Sequence, residues 1–401
     1  MKHDVVVIGG GPAGCETARL IAEKGYRVLV AEEHRQIGEP LQCSGLVSLR
    51  TLQATAMPDD LIINQIHGAF VHSPGGETLF FREQKVYALV IDRAEFDRTL
   101  SERAQRAGVE ILTGVRAGIG EFFTDGVSVK LKFRGGESTV RTCLVIGADG
   151  ANSRVARRIS APKAEDMIRM CAAEVELQCR EKDMVHIFLG GDIAPGWFGW
   201  VIPVDEKHAR VGIGVSGRDK HPRTFFNKMV KAHPGIFQGM KIIRGTSGVV
   251  PVGSLARIYG RRTLLVGDAA CQTKPISGGG LYLGLLGAEL CAKVAAKALA
   301  KGNLSPHFLR EYQRLWEKEM ADEIQTALRH RNIFLTMSDR DMDKLIRFLS
   351  RPLWQGIISR YGDIDYPSRL ADKLSFAGPW AEKFIMAGFK KILYYCSATR
   401  A

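Results

Sequence analysis

The sequence predicts an α/β protein: a doubly wound, dinucleotide-binding domain into which an antiparallel sheet is inserted, followed by a helical C-terminal region. Three observations predict this class. A strand, a glycine-rich turn and a helix open the chain at residues 5–24, and a second strand ends at Glu32, about twenty residues beyond the turn. Short alternating strands then dominate residues 170–250.

The opening unit has the pattern expected of a pyrophosphate site. Its three glycines fit G-x-G-x-x-G, in which the first permits a tight turn, the second lets the backbone approach phosphate, and the third packs helix on strand. The N–H groups at the start of the helix then face the anion. Glu32 can accept hydrogen bonds from both hydroxyls of a ribose, which favours an adenosine without a 2′-phosphate. The cofactor contacts predicted from this unit are Gly9, Gly11, Pro12, Ala13, Gly14 and Glu32.

The remaining elements follow in chain order. Residues 61–81 predict a hairpin around a turn at 73–76, and residues 92–107 have helical spacing. Strands are predicted at 110–112, 127–133, 138–146, 171–177, 184–189, 198–204, 209–215, 242–250 and 263–266. A helix is predicted at 281–301, and the chain is helix-rich from Pro306.

These elements predict a discontinuous organisation, because segments of nucleotide-binding type recur three times. The predicted nucleotide domain comprises residues 1–60, 86–165 and 255–300. The predicted substrate domain, an antiparallel sheet, comprises 61–85 and 166–254, and residues 301–401 form a predicted C-terminal helical cap.

Composition limits the class of protein. The 401 residues allow two or three domains, and 45% hydrophobic with 25% charged residues is typical of a soluble globular protein. Asp4 and the glycines interrupt any signal-peptide core, and Glu289, Lys293 and Lys297 interrupt the most apolar segment, so we expect a cytoplasmic protein without a membrane span.

The cysteine content and the net charge limit the metal sites, disulfides and binding partners that the sequence predicts. The eight cysteines form no C-x-x-C pair and no cluster with histidines, so neither a metal site nor a disulfide framework is predicted. The net charge of +13 favours polyanionic partners such as phospholipid headgroups or a phosphorylated substrate, with a diffuse solvated surface as the alternative. We predict no nucleic-acid partner.

Two later segments, 146–154 and 264–280, resemble signatures of the flavoprotein group that includes aromatic hydroxylases, flavin halogenases and geranylgeranyl reductases. The resemblance implies FAD and a Rossmann-type domain of the p-hydroxybenzoate hydroxylase/glutathione reductase-like kind. It also implies that Asp268 contacts the ribityl chain and that Gly279 and Gly280 open a helix toward the flavin pyrimidine ring. The further cofactor residues it implies are Arg93 of an R-x-x-F-D element, Ala117 beside the adenine, Asp149 and Leu281.

The loop at 37–48 is similar to that of the geranylgeranyl reductase family, whose members place a cysteine beside the flavin; here it is Cys43, followed by Gly45. Residues 195–203 and 212–214 resemble the family's Y-x-W-x-F-P…G-x-G element, the wall of an apolar substrate tunnel, predicted here as Phe198, Trp200, Ile202 and Pro203. Phe198 replaces the tyrosine and Ile202 an aromatic residue, which brings the segment close to the halogenase pattern W-x-W-x-I-P.

The resemblance implies an FAD-dependent reductase that saturates carbon–carbon double bonds of geranylgeranyl groups, carried on an isoprenoid diphosphate, a glycerophospholipid or another prenyl lipid. Flavin N5 would supply hydride to one alkene carbon, and Cys43 or an ordered water would protonate the other. An external donor such as NADPH or ferredoxin would supply electrons. The alternatives are a flavin-dependent monooxygenase or halogenase, and a non-catalytic electron-carrier flavoprotein at a membrane surface.

Residues 381–395 mix apolar and basic side chains at helical spacing, as membrane-surface helices do. They predict peripheral association with the inner face of the membrane, and a helix docked on the cap is the alternative.

Overall fold

The computed structural model of the chain describes residues 2–41, 43–366 and 369–370. They form two compact units. Unit 1 comprises the residues up to Leu61 together with Ile91–Met167 and Val249–Asp322; unit 2 comprises Ile62–Val90, Ile168–Gly248 and the described residues from Glu323 onward. The predicted cap at 301–401 is therefore divided, since its first part belongs to unit 1 and its described remainder to unit 2. The segment 381–395 lies outside the described residues.

The strands are β1 (Val5–Ile8), β2 (Val28–Ala31), β3 (Leu46–Val47), β4 (Ile62–Ile66), β5 (Gly68–His72), β6 (Thr78–Arg82), β7 (Ala88–Ile91), β8 (Glu110–Leu112), β9 (Arg116–Phe122), β10 (Val127–Phe133), β11 (Gly136–Thr142), β12 (Leu144–Gly147), β13 (Asp166–Glu176), β14 (Met184–Phe188), β15 (Gly199–Pro203), β16 (His208–Val215), β17 (Lys241–Val252), β18 (Tyr259–Gly260) and β19 (Thr263–Leu265). The helices are α1 (Pro12–Ala22), α2 (Leu49–Thr55), α3 (Arg93–Arg106), α4 (Arg154–Arg158), α5 (Pro222–Ala232), α6 (Pro234–Phe237), α7 (Leu281–Ala300), α8 (Pro306–Thr336), α9 (Asp339–Leu349) and α10 (Pro352–Tyr361).

Unit 1 is built on a six-stranded sheet with the order β18-β19-β12-β1-β2-β8. All of its pairs are parallel except β18 with β19. Every residue of β1, β2 and β12 is buried, as expected where helices cover both faces of a parallel sheet. Helix α1 packs against α7 and α3. A separate antiparallel sheet, β9 to β11, belongs to the same unit.

Unit 2 is built on a seven-stranded sheet with the order β17-β13-β16-β15-β14-β5-β6. The predicted antiparallel sheet contains one parallel pair, in which β14 pairs with β5. The sequence separation between these strands leaves enough chain for the crossover connection that a parallel pair requires. The predicted hairpin over 61–81 is confirmed as β5 and β6.

Two helices that the sequence did not predict, α5 and α6, cover one face of this sheet. Phe226 and Met229 of α5 and Phe237 of α6 join the strand residues Val201 and Val211 in one buried core. Helices α9 and α10 supply Ile346 and Ile358 to a second, smaller core around Leu79. Unit 2 is therefore a sheet with helices on both faces.

Two searches of the described residues bear on membranes and metals. No described helix is both long enough and apolar enough to cross a bilayer. Within the same residues, no group of three or more His, Cys, Asp or Glu side chains is arranged to hold a metal ion.

Candidate functional site

The glycine-rich turn lies between β1 and α1, at the carboxyl end of the central parallel strand. Gly9 has φ +108°, and a Cβ there would lie 2.2 Å from the carbonyl oxygen of Ala148; a Cβ on Gly14 would lie 2.1 Å from that of Gly9. Only glycine fits at these two positions. A Cβ on Gly11 would instead enter open space. These environments suit the three predicted roles: a tight turn at Gly9, close approach of the backbone to phosphate at Gly11, and packing of helix on strand at Gly14.

The start of α1 leaves backbone donors available. Its N-cap is Gly11 and its first residue is Pro12, followed by Ala13, and no described side chain caps the helix. A helix N-terminus of this kind attracts a phosphate through its N–H groups and its dipole. The turn and the helix together therefore fit a pyrophosphate.

Glu32 stands at the end of β2, beside the turn. Its Oε2 accepts a hydrogen bond from the Gly10 N–H at 2.7 Å, and its Oε1 accepts one from the His34 N–H at 2.8 Å. Oε1 also lies 2.7 Å from the His34 Nδ1. The carboxyl is only 12% exposed, and Oε2 keeps a second lone pair that a ribose hydroxyl could use.

Ala117, the predicted adenine contact, lies on β9 and is nearly buried. The Val115 N–H donates to the Glu32 carbonyl, and Arg116 pairs with Glu33 at 3.1 Å. The start of β9 is therefore fixed beside Glu32, and the contact of Ala117 with adenine remains a prediction.

A second group of predicted residues meets at the start of α7. Helix α7 begins at Leu281 with Gly280 as its N-cap, and no described side chain caps it. The Asp268 Oδ1 lies 2.9 Å from the position that a Cβ on Gly280 would take. Burial raises the pKa of Asp268 to about 6, and the Arg93 guanidinium acts in the opposite direction. Asp268, the predicted ribityl contact, and Gly280, a predicted pyrimidine contact, are thus neighbours.

Arg93 acts electrostatically on Asp268. It is the first residue of α3, and its guanidinium binds both carboxylate oxygens of Asp97 at 3.0 Å each. Burial acts to lower the pKa of Arg93, but Asp97 and Cys43 outweigh burial and raise it. The structure thus brings together Cys43, Arg93, Asp97 and Asp268, although the sequence separates them widely.

Asp149 is placed differently from the other predicted cofactor residues. Its carboxylate accepts hydrogen bonds from the Ser153 hydroxyl at 2.5 Å and from the Arg154 N–H at 2.6 Å. Its side chain is therefore engaged at the start of α4. An effect of Asp149 on the cofactor remains a prediction, and it would have to be transmitted through α4.

Two relevant residues were not predicted as site residues. Asp97 orients Arg93, and its i,i+4 spacing from Arg93 on a helix is a signal that could have identified the pair. Lys274 is 7% exposed, and its Nζ lies 3.0 Å from the position of a Cβ on Gly279. The signal in the sequence that could have identified Lys274 is its position directly before Pro275.

The predicted tunnel residues all belong to unit 2. Trp200, Ile202 and Pro203 lie on β15 and are buried, and Phe198, just before this strand, is half-buried. The Phe198 ring lies 6.0 Å from that of Trp200, edge to face, and 5.2 Å from that of Trp197. The indole of Trp200 lies on Gly212, where a Cβ would be 2.2 Å from the ring. Trp197, Phe198 and Trp200 form a continuous aromatic group. The role of the predicted tunnel residues toward a substrate remains a prediction.

Comparisons with known proteins agree with this geometry. The family model described as "FAD binding domain" matches residues 2–317. The chain is 33% identical over 367 residues to digeranylgeranylglycerophospholipid reductase 2 of Methanopyrus kandleri. This match covers 88% of this chain and 91% of that relative.

Solved structures share the fold. A geranylgeranyl bacteriochlorophyll reductase-like protein from Thermoplasma acidophilum superposes with a TM-score of 0.85 at 25% identity, over 96% of this chain and 99% of that one. A flavin-dependent brominase superposes with a TM-score of 0.70 at 17% identity, over 93% and 98% of the two chains. At that identity the brominase supports the fold alone.

Proposed function

Because this chain belongs to the FAD-binding family that includes the digeranylgeranylglycerophospholipid reductases, we propose that it reduces the carbon–carbon double bonds of geranylgeranyl chains on a glycerophospholipid. It is an FAD-dependent oxidoreductase. The observation that best supports the proposal is the position of Asp268 beside Gly280 at the start of α7, within a unit whose glycine-rich turn and Glu32 fit FAD.

The residues of unit 1 have distinct tasks in this proposal. The N–H groups at the start of α1 bind the pyrophosphate, Glu32 binds the ribose, and Asp268 with the Gly279–Gly280 turn holds the ribityl and pyrimidine end. Reduced FAD, when bound, supplies a hydride to one alkene carbon. The dipole of α7, a helix of 20 residues, favours negative charge at its N-terminus.

An isolated alkene needs a proton as well as a hydride, because no carbonyl group is present to absorb the charge. We assign the proton to the Cys43 thiol, which is partly exposed, whereas Cys15, Cys271 and Cys291 are buried. Burial raises the pKa of Cys271 to about 12, so its thiol has little tendency to release a proton. In unit 2, Phe198, Trp200, Ile202 and Pro203 line the path of the prenyl chain, which offers only apolar surface.

The partners follow from the same chemistry. We propose an external electron donor such as NADPH or ferredoxin, and peripheral association with the membrane that contains the lipid. A net charge of +13 suits a surface of anionic headgroups. The apolar and basic residues of 381–395 would contribute to that contact.

The test uses the full-length, FAD-loaded protein, photoreduced without oxygen and mixed with a digeranylgeranylglycerophospholipid. We expect mass spectrometry to show lipid products heavier by successive pairs of hydrogen atoms. A hydroperoxyflavin spectrum on exposure to oxygen, with unchanged lipid, would instead indicate a monooxygenase or halogenase. Reoxidation by an artificial acceptor, with no lipid product and no such spectrum, would indicate an electron carrier.

A further inference from the structure

Two arginines of unit 1 hold the turn between β9 and β10 and share one aromatic ring. The Arg158 Nη2 donates to the Gly120 carbonyl, and the Arg261 Nη2 donates to the Phe123 carbonyl, at 3.0 Å each. Both guanidinium groups also lie near the Phe122 ring, at 5.5 Å and 5.7 Å from its centroid. Two side chains that are far apart in sequence are thus held at one place on unit 1.

Two further arginines join them. The Arg262 Nη2 donates to the carbonyl of Thr124, the next residue of the same turn. The Arg257 Nη2 donates to the carbonyl of Ser160, just beyond the end of α4. All four side chains are exposed or half-buried. We refer to them as the arginine cluster: Arg158, Arg257, Arg261 and Arg262.

The positive charge of the arginine cluster is not neutralised within the part of the chain that the structure describes. Its acceptors are neutral carbonyl groups, and no described carboxylate forms an ion pair with any of its members. Other arginines of unit 1 do form such pairs, as Arg98 does with Glu95 at 2.6 Å. The carboxylates on this part of β9 and its turn are Glu121 and Asp125, and Asp125 is paired with Arg141 at 2.6 Å. A net positive charge therefore remains.

The hydrogen bonds of the cluster orient its guanidinium groups without exhausting their donors. A guanidinium has five N–H groups, and each member uses only one or two of them on carbonyl oxygens. The remaining donors suit the oxygens of a phosphate, which guanidinium groups bind in a planar, two-pronged geometry. Four such groups, held on α4 and on the segment that contains β18 and β19, suit a surface that presents many phosphates.

We propose that the arginine cluster binds the phosphate groups of an anionic phospholipid membrane, the membrane that contains the lipid substrate. Clusters of four or more basic residues are attracted to anionic lipid surfaces. The inference rests on the proposed function and deepens it, because it assigns the proposed peripheral association to a surface of the described residues.

The experiment measures binding of the full-length, FAD-loaded protein to vesicles by cosedimentation. One set of vesicles is phosphatidylglycerol, which is anionic, and the other is phosphatidylcholine, which has no net charge. The test variant carries Arg158→Gln and Arg261→Gln, because glutamine keeps an N–H₂ group for the backbone carbonyl and loses the charge. We expect binding to phosphatidylglycerol to weaken about fivefold for each arginine, about 25-fold in the double variant. Binding of the native protein should also weaken as salt is added.

Two control variants separate the cluster from total charge and from the shape of the side chains. Arg158→Lys with Arg261→Lys keeps both charges and should bind within about twofold of native. Arg98→Gln with Arg106→Gln removes two positive charges from α3, both at exposed positions, and should also bind within about twofold of native. Thermal unfolding and flavin content are measured for every variant. If the double glutamine variant does not fold, the single variant Arg261→Gln decides, with about fivefold weaker binding expected.

Four results would overturn the proposal. These are native protein that does not prefer phosphatidylglycerol, a glutamine variant that binds it as the native protein does, an equal loss in the α3 control, and a glutamine variant that binds vesicles normally but accepts electrons more slowly from reduced ferredoxin. The last result would assign the cluster to an acidic protein instead.

A separate measurement tests the proposed function without the membrane. The native, reduced protein is mixed with the lipid substrate dispersed in micelles of a non-ionic detergent, where no anionic surface is needed. Absence of a reduced lipid there would contradict the proposed function, while the vesicle measurements would still decide whether the cluster binds a membrane.

Discussion

At the scale of single residues, Glu32 has one structural and one predicted functional task. Its two oxygens accept the N–H groups of Gly10 and His34, so the carboxylate holds the glycine-rich turn against the end of β2. Oε1 also lies 2.7 Å from the His34 Nδ1, so the lone pair left for the predicted ribose contact is on Oε2. The charge on this side chain would therefore serve both the turn and the cofactor.

We predict that Glu32→Gln weakens FAD binding about tenfold, about 1.4 kcal/mol, because one oxygen becomes an N–H₂ group that opposes the backbone N–H of Gly10 or of His34. The dissociation constant can be measured by titrating apoprotein with FAD and following the flavin fluorescence. The control is Glu33→Gln, which loses only an exposed pair with Arg116 and should bind FAD as the native protein does. Equal affinity of Glu32→Gln and native protein would contradict this role.

Single residues were predictable where the reason for them is local. The environments of Gly9, Gly11 and Gly14 match their predicted positions because a strand–turn–helix imposes its requirements within a few residues. The electrostatic interaction of Arg93 with Asp268 was not predicted, since it joins residues from two segments that meet only in the folded chain. The hydrogen bonds of Asp149 at the start of α4 are local. They were not predicted, because an aspartate at such a position can either accept hydrogen bonds at a helix N-terminus or contact a cofactor.

At the scale of elements, β15 and β16 fit together through one close contact. Trp200 on β15 lies opposite Gly212 on β16, and its indole occupies the space where a side chain would stand. This explains why a glycine is found in a strand that is otherwise rich in β-branched residues. The wall of the predicted tunnel thus depends on the absence of one Cβ.

We predict that Gly212→Ala lowers the free energy of unfolding by about 1–3 kcal/mol, because the ring and the backbone cannot both keep their positions. Urea denaturation followed by tryptophan fluorescence measures the change. Gly235→Ala is the matched control, since a Cβ there meets nothing within 4 Å in α6, and it should be neutral or slightly stabilising. An unchanged midpoint for Gly212→Ala would show that the sheet accommodates the methyl group.

Most elements followed from hydrophobic periodicity. The predicted strand at 138–146 is wrong, because the structure divides it between β11 and β12, which belong to different sheets. Two other errors have physical causes. Helices α5 and α6 are short and interrupted by Pro234, so their periodicity did not stand out between strands. The parallel pairing of β14 with β5 depends on which distant strands meet, and alternation of apolar residues within a strand carries no information about direction.

At the scale of the whole molecule, each unit is assembled from segments that are far apart in sequence. The recurrence of nucleotide-binding patterns predicted this interleaving, while the division of residues 301–401 between the two units is a property of packing that the sequence pattern did not contain. Unit 2 also contains a group of stacked rings that no sequence motif indicated. It comprises His72, His186, His233 and Phe188, with His72 Nε2 3.0 Å from His186 Nδ1.

This group predicts that the protein loses stability in mild acid. Burial lowers the pKa of both His72 and His186 to about 4, whereas an unfolded histidine titrates near 6.5. Between these values the unfolded chain binds protons that the folded chain does not, so the free energy of unfolding falls as the pH drops from about 6.5 to 4. Above about pH 6.5 this contribution is fully present.

Urea midpoints measured across that range test the acid sensitivity. The variant with His72→Phe and His186→Phe should show a flatter dependence on pH, and His221→Gln, at an exposed position, should keep the native slope. If the double variant retains the native slope, the histidine pair is not its source.

The central claim is that FAD held by unit 1 delivers hydride to a prenyl double bond. Its most direct test is rapid anaerobic mixing of the reduced, FAD-loaded protein with a digeranylgeranylglycerophospholipid while the flavin absorbance is recorded. The account predicts that the absorbance of oxidised flavin returns, with one double bond lost from the lipid for each flavin oxidised. Flavin that stays reduced in the presence of the lipid, or that reoxidises without any change in the mass of the lipid, would contradict it.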